Sequence, residues 1–436
     1  MGSLVRVKRP VLVTPADPTP FCVLPLSAID SQPFLSFTIE YLLIYRSCHG
    51  LDRASTTARV KAALARALVP YYPLAGRVRE RPDGLGLEVV CRAQGAGFID
   101  AAADCTTHEF ERAPQSVTQW RKLLSTEVFK PPQPPVIVQL TWLSDDSAAL
   151  GVGFSHCLCD GIGSAEFLNL FADLATGRDK LGDFNPMPVW DRHLLDSPAL
   201  SAAPVSRGAH PEFVRVPDLC RFGSRFSQER LVPTSIAFKR AWLNELKKLA
   251  ESTGQPGESP YTSFEVLSAH VWRSWARALK LPGKQVLKLL FSVNIRNRVT
   301  PSLPPGYYGN AFVLGCAQTC SKDLMEKGLG YASGLVRRAK ERVGDGYVRE
   351  VVETVSGSGQ ACPDSVGVLI ASQWSRLGLD RVDFGMGRPV HVGPVCVDRY
   401  CLMLPVHDET DAVNVILAVP VNAVKRYEEL LRSPYS

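Results

Sequence analysis

Ser155-His156-Cys157-Leu158-Cys159-Asp160-Gly161-Ile162-Gly163 is the stretch around which the rest of the chain organises. Two apolar runs precede it, residues 135–143 and 147–155, joined by Ser144-Asp145-Asp146. That spacing predicts a β-hairpin whose second strand ends at His156. Residues 164–176 then repeat apolar side chains at helical spacing. A histidine placed between a buried strand and a glycine-containing turn is held rigidly. Its pKa near neutrality suits it to take a hydroxyl proton and return it to a leaving group. By itself, a histidine four residues before an aspartate also fits a core histidine that caps its own turn.

Outward from this turn the pattern mixes strands and helices. Residues 36–46 alternate, with Ile39, Tyr41 and Leu43 on one face, and predict a strand. Residues 56–69 predict a helix that stops before Pro70 and Pro73. Residues 178–232 hold several prolines and many charges without a sustained period, which predicts a long crossover. Beyond it, Thr262-Ser263-Phe264-Glu265 has the form of a capping box ahead of a helical run. Residues 286–294, 366–371 and 412–420 predict strands, 321–354 mostly helix, and 421–432 a closing helix. There is no regular βαβ alternation, so the expectation is α+β, with an N-terminal domain 1–177, a crossover 178–232 and a C-terminal domain 233–436.

Composition agrees with two cores. At 436 residues, 45% apolar and 21% charged, the chain exceeds what one core usually serves, and domains of roughly 200 residues each are expected. The net charge of +6 is dispersed. The densest basic run, Arg337-Arg338-Ala339-Lys340, reads as a solvated helix face, and no nucleic-acid partner is expected. Twelve cysteines are scattered without metal-ligand spacing, so no metal is expected. Met1 to Phe21 lacks the apolar core of a signal peptide, and no stretch approaches the ~18 apolar residues of a membrane span. A cytoplasmic chain without membrane insertion is the expectation.

A second segment, Val382-Asp383-Phe384-Gly385-Met386-Gly387-Arg388-Pro389, marks a tight loop. Its aspartate has Arg296 or Arg298 as possible partners. Together, the two segments resemble the HxxxDG and DFGWG motifs of the BAHD family of acyl-CoA-dependent acyltransferases. Tyr72-Pro73-Leu74-Ala75-Gly76-Arg77 matches that family's YPxAGR segment. Asn294 to Phe312, with Pro304-Pro305-Gly306-Tyr307-Tyr308-Gly309-Asn310, matches its NxR…PPGYxGN segment. The four motifs stand in family order along nearly the whole chain.

The resemblance implies two chloramphenicol-acetyltransferase-like domains with a channel at their interface. It implies His156 as general base, and Trp374 and Ser372 as support for the oxyanion. Asp160, Gly161, Asp383, Gly385, Gly387 and Arg296 are implied to be structural at the site, with Asp160 turned from the base toward an arginine and Asp383 bonded to Arg296. Acyl-CoA is implied as co-substrate rather than a resident cofactor, and a monomer is the family's habit. The helix start at Thr262 and Ser263 has the hydroxyls and N–H groups to meet CoA. The family's DFGWG tryptophan is Met386 here, read as a packing substitution.

On the acceptor side, Ile39, Tyr41 and Leu43 suggest an apolar lining. Val355-Ser356-Gly357-Ser358-Gly359-Gln360 lacks the arginine by which shikimate- and quinate-esterifying members grip a carboxylate. Both features favour a small neutral alcohol. An amine acceptor, or a non-catalytic accessory protein of lipid elongation, are the other readings. The intact His156, Gly161, Arg77 and Asn310 argue against the latter.

Overall fold

The computed structural model describes residues 5–47, 50–111, 122–178, 186–196, 210–224, 229–254, 259–358, 361–394 and 400–433. Gly359 and Gln360 of the segment considered for acceptor recognition lie outside them. The strands are β1 Val5–Val7, β2 Val11–Val13, β3 Cys22–Pro25, β4 Thr38–Tyr45, β5 Arg77–Glu80, β6 Leu87–Cys91, β7 Ala96–Ala103, β8 Val136–Trp142 and β9 Ala148–Ser155. They continue with β10 Leu231–Phe238, β11 Val286–Asn294, β12 Phe312–Cys320, β13 Val368–Gln373, β14 His391–Pro394, β15 Tyr400–Val406 and β16 Glu409–Pro420. The main helices are α1 Arg53–Ala67, α2 Gly161–Thr176, α3 Arg240–Ser252, α4 Ser263–Ala278, α5 Ser321–Glu326, α6 Leu329–Arg342, α7 Asp345–Ser358 and α8 Val424–Arg432.

The first sheet runs β1-β7-β8-β9-β4-β14, with β2 also paired to β7. The second runs β10-β16-β15-β13-β11-β12, and β3-β6-β5 form a small third sheet. The expected hairpin is present: β8 and β9 pair antiparallel, Val136 opposite Phe154. Helices α1 and α2 cover one face of the first sheet, where Tyr41, Leu43, Leu64, Phe167 and Phe171 share a core. The second sheet is covered on one face by α3, α4, α6 and α8. Trp272 and Trp275 of α4 are fully buried there. Truncating either to alanine would cost about 3–5 kcal/mol.

Period-two alternation decides what the second sheet offers on its other face. Leu289 and Phe291 of β11, Leu369 and Ala371 of β13, and Cys401 and Met403 of β15 point to the helices. Leu290, Ser292, Val368, Ile370, Ser372, Tyr400 and Leu402 point the other way, into a cavity against the first sheet.

Two expectations need correction. The chain does not divide cleanly at 233, because β14 leaves the C-terminal half and pairs antiparallel with β4, His391 opposite Ile44. Leu379, Val382, Phe384 and Met386 likewise pack in the first core. An edge of β4 left unpaired would otherwise expose a row of backbone polar groups. The basic run 337–340 is not a solvated face either. Arg337 is buried, donating to the carbonyls of Ser259 and Pro260 and to Glu265, with which Lys340 also pairs. Among the described residues, no helix is long and apolar enough to cross a membrane.

Candidate active site

His156 stands where β9 ends. Its N–H donates to the carbonyl of Phe37 at 2.9 Å, continuing the β4–β9 ladder by one residue, and Leu158 N–H donates back to Ser155 at 3.0 Å to close the turn. Asp160 then caps α2, its Oδ1 accepting from the N–H of Ile162 at 3.1 Å and of Gly163 at 2.9 Å. Gly161 opens the helix beside the Trp374 ring, which lies 3.8 Å from where a Cβ would stand.

The imidazole lies between Phe37, edge-on with centroids 5.0 Å apart, and Phe312 at 6.0 Å. Its Nδ1 is buried and meets no hydrogen-bond partner among the described residues. Burial holds its pKa below the ordinary 6.5, against the opposing pull of the Asp160 and Asp30 carboxylates. A neutral imidazole at pH 7 is the form that accepts a proton.

Asp160 is turned from the imidazole. Its carboxylate takes Arg296 in a two-point pair at 2.8 and 3.0 Å and accepts the N–H of Ala311 at 3.1 Å. Arg296 completes its fork on the carbonyls of Tyr307 and Gly309, both at 3.1 Å. This joins the first domain's turn to the loop between β11 and β12.

Across the cavity stand Ser372 and Trp374, at the end of β13 and just past it. The indole Nε1–H of Trp374 donates to Ser372 Oγ at 2.9 Å, and its backbone N–H donates to Met403 at 2.8 Å. With the indole donating to it, the Ser372 hydroxyl keeps its own hydrogen for a third group. The cavity that His156, Ser372 and Trp374 share has a volume of about 990 Å³, and Leu290, Phe312, Leu314, Val368, Ile370 and Leu402 form its apolar wall on the side of the second sheet.

Other expected residues lie elsewhere. Of the β4 trio only Ile39 reaches the cavity. Tyr41 and Leu43 are in the first core, the Tyr41 hydroxyl bonded to Ser164 of α2. The strand's inward face runs beneath the helices, and only its first residues open on the channel. Thr262 and Ser263 do not line the cavity. Both hydrogen bonds of the capping box are formed, at 3.0 and 3.3 Å, so the helix cap accounts for Thr262.

Asp383 does not meet Arg296. Its Oδ1 accepts from the N–H groups of Gly385, Met386 and Gly387 at 2.7, 3.0 and 2.9 Å, and Oδ2 takes Arg178 at 2.8 Å. Arg296 is already held by Asp160 at the other end of α2. Gly385 and Gly387 occupy the left-handed region at φ +82° and +83°, which the turn needs, and Met386 is buried in the first core.

Sequence reading missed Asp30, Arg192 and the contact that Asn310 makes. Asn310 Nδ2 donates to the His156 carbonyl at 2.7 Å and to Asp30 at 2.8 Å. Arg192 donates to Asp30 at 3.1 Å and to the Leu158 carbonyl at 2.7 Å. The only signal available was a charged residue beside a tryptophan, Trp190-Asp191-Arg192, in an otherwise polar crossover.

The model of the Transferase family matches residues 4–432. A fatty alcohol:caffeoyl-CoA acyltransferase of Arabidopsis thaliana is 32% identical over 437 residues, covering 98% of each chain. A taxadien-5-alpha-ol O-acetyltransferase of Taxus chinensis is 32% identical over 439 residues, covering 97% of this chain and 95% of that one. In fold, the chain is similar to vinorine synthase, with a TM-score of 0.75 at 21% identity over 98% of both chains. It is also similar to F. graminearum TRI101 complexed with coenzyme A and deoxynivalenol, with a TM-score of 0.76 at 15% identity over 94% and 97%. The chain belongs to the Transferase family, that of the BAHD acyl-CoA-dependent acyltransferases.

Proposed function

We propose that this chain moves an acyl group from acyl-CoA to the hydroxyl of a small, neutral, largely apolar alcohol, with His156 as the general base. The observation that carries the reading is the convergence of a buried imidazole, a serine hydroxyl and an indole on one mostly apolar cavity. In the reaction, the acceptor hydroxyl loses its proton to His156 as its oxygen attacks the thioester carbonyl. The tetrahedral oxyanion then takes a hydrogen bond from Ser372, whose oxygen is polarised by the Trp374 N–H. Collapse breaks the C–S bond, and the imidazolium returns its proton to the CoA thiolate. Both substrates are bound together, without an acyl-enzyme.

The cavity wall supports the acceptor class. Besides His156, its ionisable lining includes Glu40, Glu127, Asp364 and Lys122, a set that disfavours a carboxylate acceptor. Relatives named for fatty alcohol, taxadienol and benzyl alcohol acceptors agree with a neutral alcohol. The ten described cysteines are all free thiols, which supports a cytoplasmic location. Action as a monomer completes the reading.

Free-thiol release from acetyl-, benzoyl-, p-coumaroyl- and long-chain acyl-CoA with pooled alcohols tests it. His156→Ala lowers turnover by about 10²–10⁴-fold. In the wild type, kcat/KM rises with pH to a plateau, with a midpoint below the ordinary histidine value of 6.5, because burial disfavours the charged ring. Thiol release that is equal in wild type and His156→Ala, or a midpoint above 7, would sink the assignment.

A further inference from the structure

A general base must be aimed, and in many sites a second side chain does so by hydrogen bonding to the far ring nitrogen. Here Nδ1 of His156 has no such partner among the described residues, and Asp160 is committed to Arg296. The aim of the ring therefore has to come from the backbone that carries it. That backbone is a tight turn, and two of its carbonyls are held by side chains. Asn310 Nδ2 donates to the carbonyl of His156 at 2.7 Å, and Arg192 donates to that of Leu158 at 2.7 Å.

Both donors hang on one carboxylate. Asp30 accepts from Arg192 at 3.1 and 3.2 Å and from the Asn310 backbone and side chain at 3.0 and 2.8 Å. It also accepts from Ser27 N–H at 3.2 Å and Ser27 Oγ at 2.7 Å. The pair is fully interior, with Arg192 2% and Asp30 0% exposed. The guanidinium lies over Trp190 at 4.3 Å and Tyr308 at 5.0 Å. It passes so close to Gly309 that a Cβ there would fall 1.6 Å from its terminal nitrogen.

Stability alone does not explain the pair. A buried ion pair is on balance no better than a well-packed apolar pair, and Arg192 Nε is buried with no hydrogen-bond partner among the described residues. What an apolar pair lacks is a directed donor to a turn carbonyl.

We propose that Arg192 and Asp30 are positioning residues for the acyl-transfer reaction: they form a buried clamp that aims His156 through the carbonyls of its own turn. The crossover is thus part of the catalytic apparatus, since it delivers Arg192. The inference rests on His156 acting as the base.

Two substitutions test the clamp without removing a charge. Arg192→Lys keeps a cation for Asp30 but cannot fork to Leu158. Gly309→Ala deletes no polar group but displaces the guanidinium. For each, kcat, the KM for acyl-CoA and CoA affinity by calorimetry are measured well below the melting temperature. A lowered kcat is expected, by about 10–100-fold, since an aiming error of about 1 Å is worth up to about 100-fold. KM and CoA affinity stay within about twofold. A folded variant with wild-type kcat, or a loss confined to KM, overturns the clamp while leaving the transferase reading intact. A wild type no faster than His156→Ala overturns the transferase reading and the clamp with it.

Discussion

At the N-terminus of α2, Asp160 takes Arg296 in a two-point pair, and just past its C-terminus Arg178 donates to Asp383. Both aspartates also collect backbone N–H groups of a glycine-bearing turn, and the helix dipole favours Asp160 at the N-terminus and Arg178 at the C-terminus. Their settings differ. Asp160 and Arg296 are 7% and 13% exposed, while Asp383 and Arg178 are 22% and 55% exposed. The helix separates them by 16 residues, on the order of 24 Å. The same local chemistry thus joins two domains beside the imidazole at one end and ties down a surface loop at the other. Solvent, more than residue type, sets what each pair contributes.

The largest effect follows from Asp160→Ala. It strands Arg296 without its carboxylate and leaves the N–H groups of Ile162, Gly163 and Ala311 short of an acceptor. Breaking a buried pair from one side costs about 3–5 kcal/mol. Chemical denaturation should register that loss, and kcat should fall as well, because the loosened turn carries His156. A variant that keeps wild-type kcat would show that the turn is held by the Asp30 clamp alone.

How much of this was legible follows from the same contrast. The β8–β9 hairpin, α2 and the capping box at Thr262 were readable because each is written in residues a few positions apart. His156, Ser372 and Trp374 were reachable through family motifs, and the structure brings all three to one cavity. The Arg192–Asp30 pair spans 162 residues, and no periodicity reports a contact at that separation. The return of β14 to β4 was hidden for a like reason, since a four-residue strand carries too little alternation to name its partner. Pairing Asp383 with Arg296 failed because charge complementarity names candidates without distances. Placing Tyr41 and Leu43 in the acceptor pocket failed because alternation gives a shared face without saying what covers it.

A middling effect is expected from Asp383→Ala. Three N–H groups lose their acceptor, but Gly385 and Gly387 are exposed, so water replaces much of what is removed. The cost should be about 1–2 kcal/mol by denaturation. Met386 and Phe384 keep the loop packed in the first core, so kcat should stay within about twofold. Since the loop does not line the cavity, a kcat loss matching that of Asp160→Ala would break the comparison by showing that the two ends of α2 are coupled.

Arg178→Ala should do least. Its guanidinium is more than half exposed, and the carboxylate it leaves behind still accepts three N–H groups. An exposed pair of this kind contributes about 0–1 kcal/mol and is screened by salt. Denaturation midpoints of wild type and Arg178→Ala should therefore converge as ionic strength is raised from about 0.01 to 1 M, where the screening length falls to about 3 Å. The Asp160–Arg296 pair, shut away from the solution, should keep its full effect under the same titration. A salt response of equal size in Asp160→Ala would mean that water reaches both ends of the helix, and burial could no longer account for the difference between them.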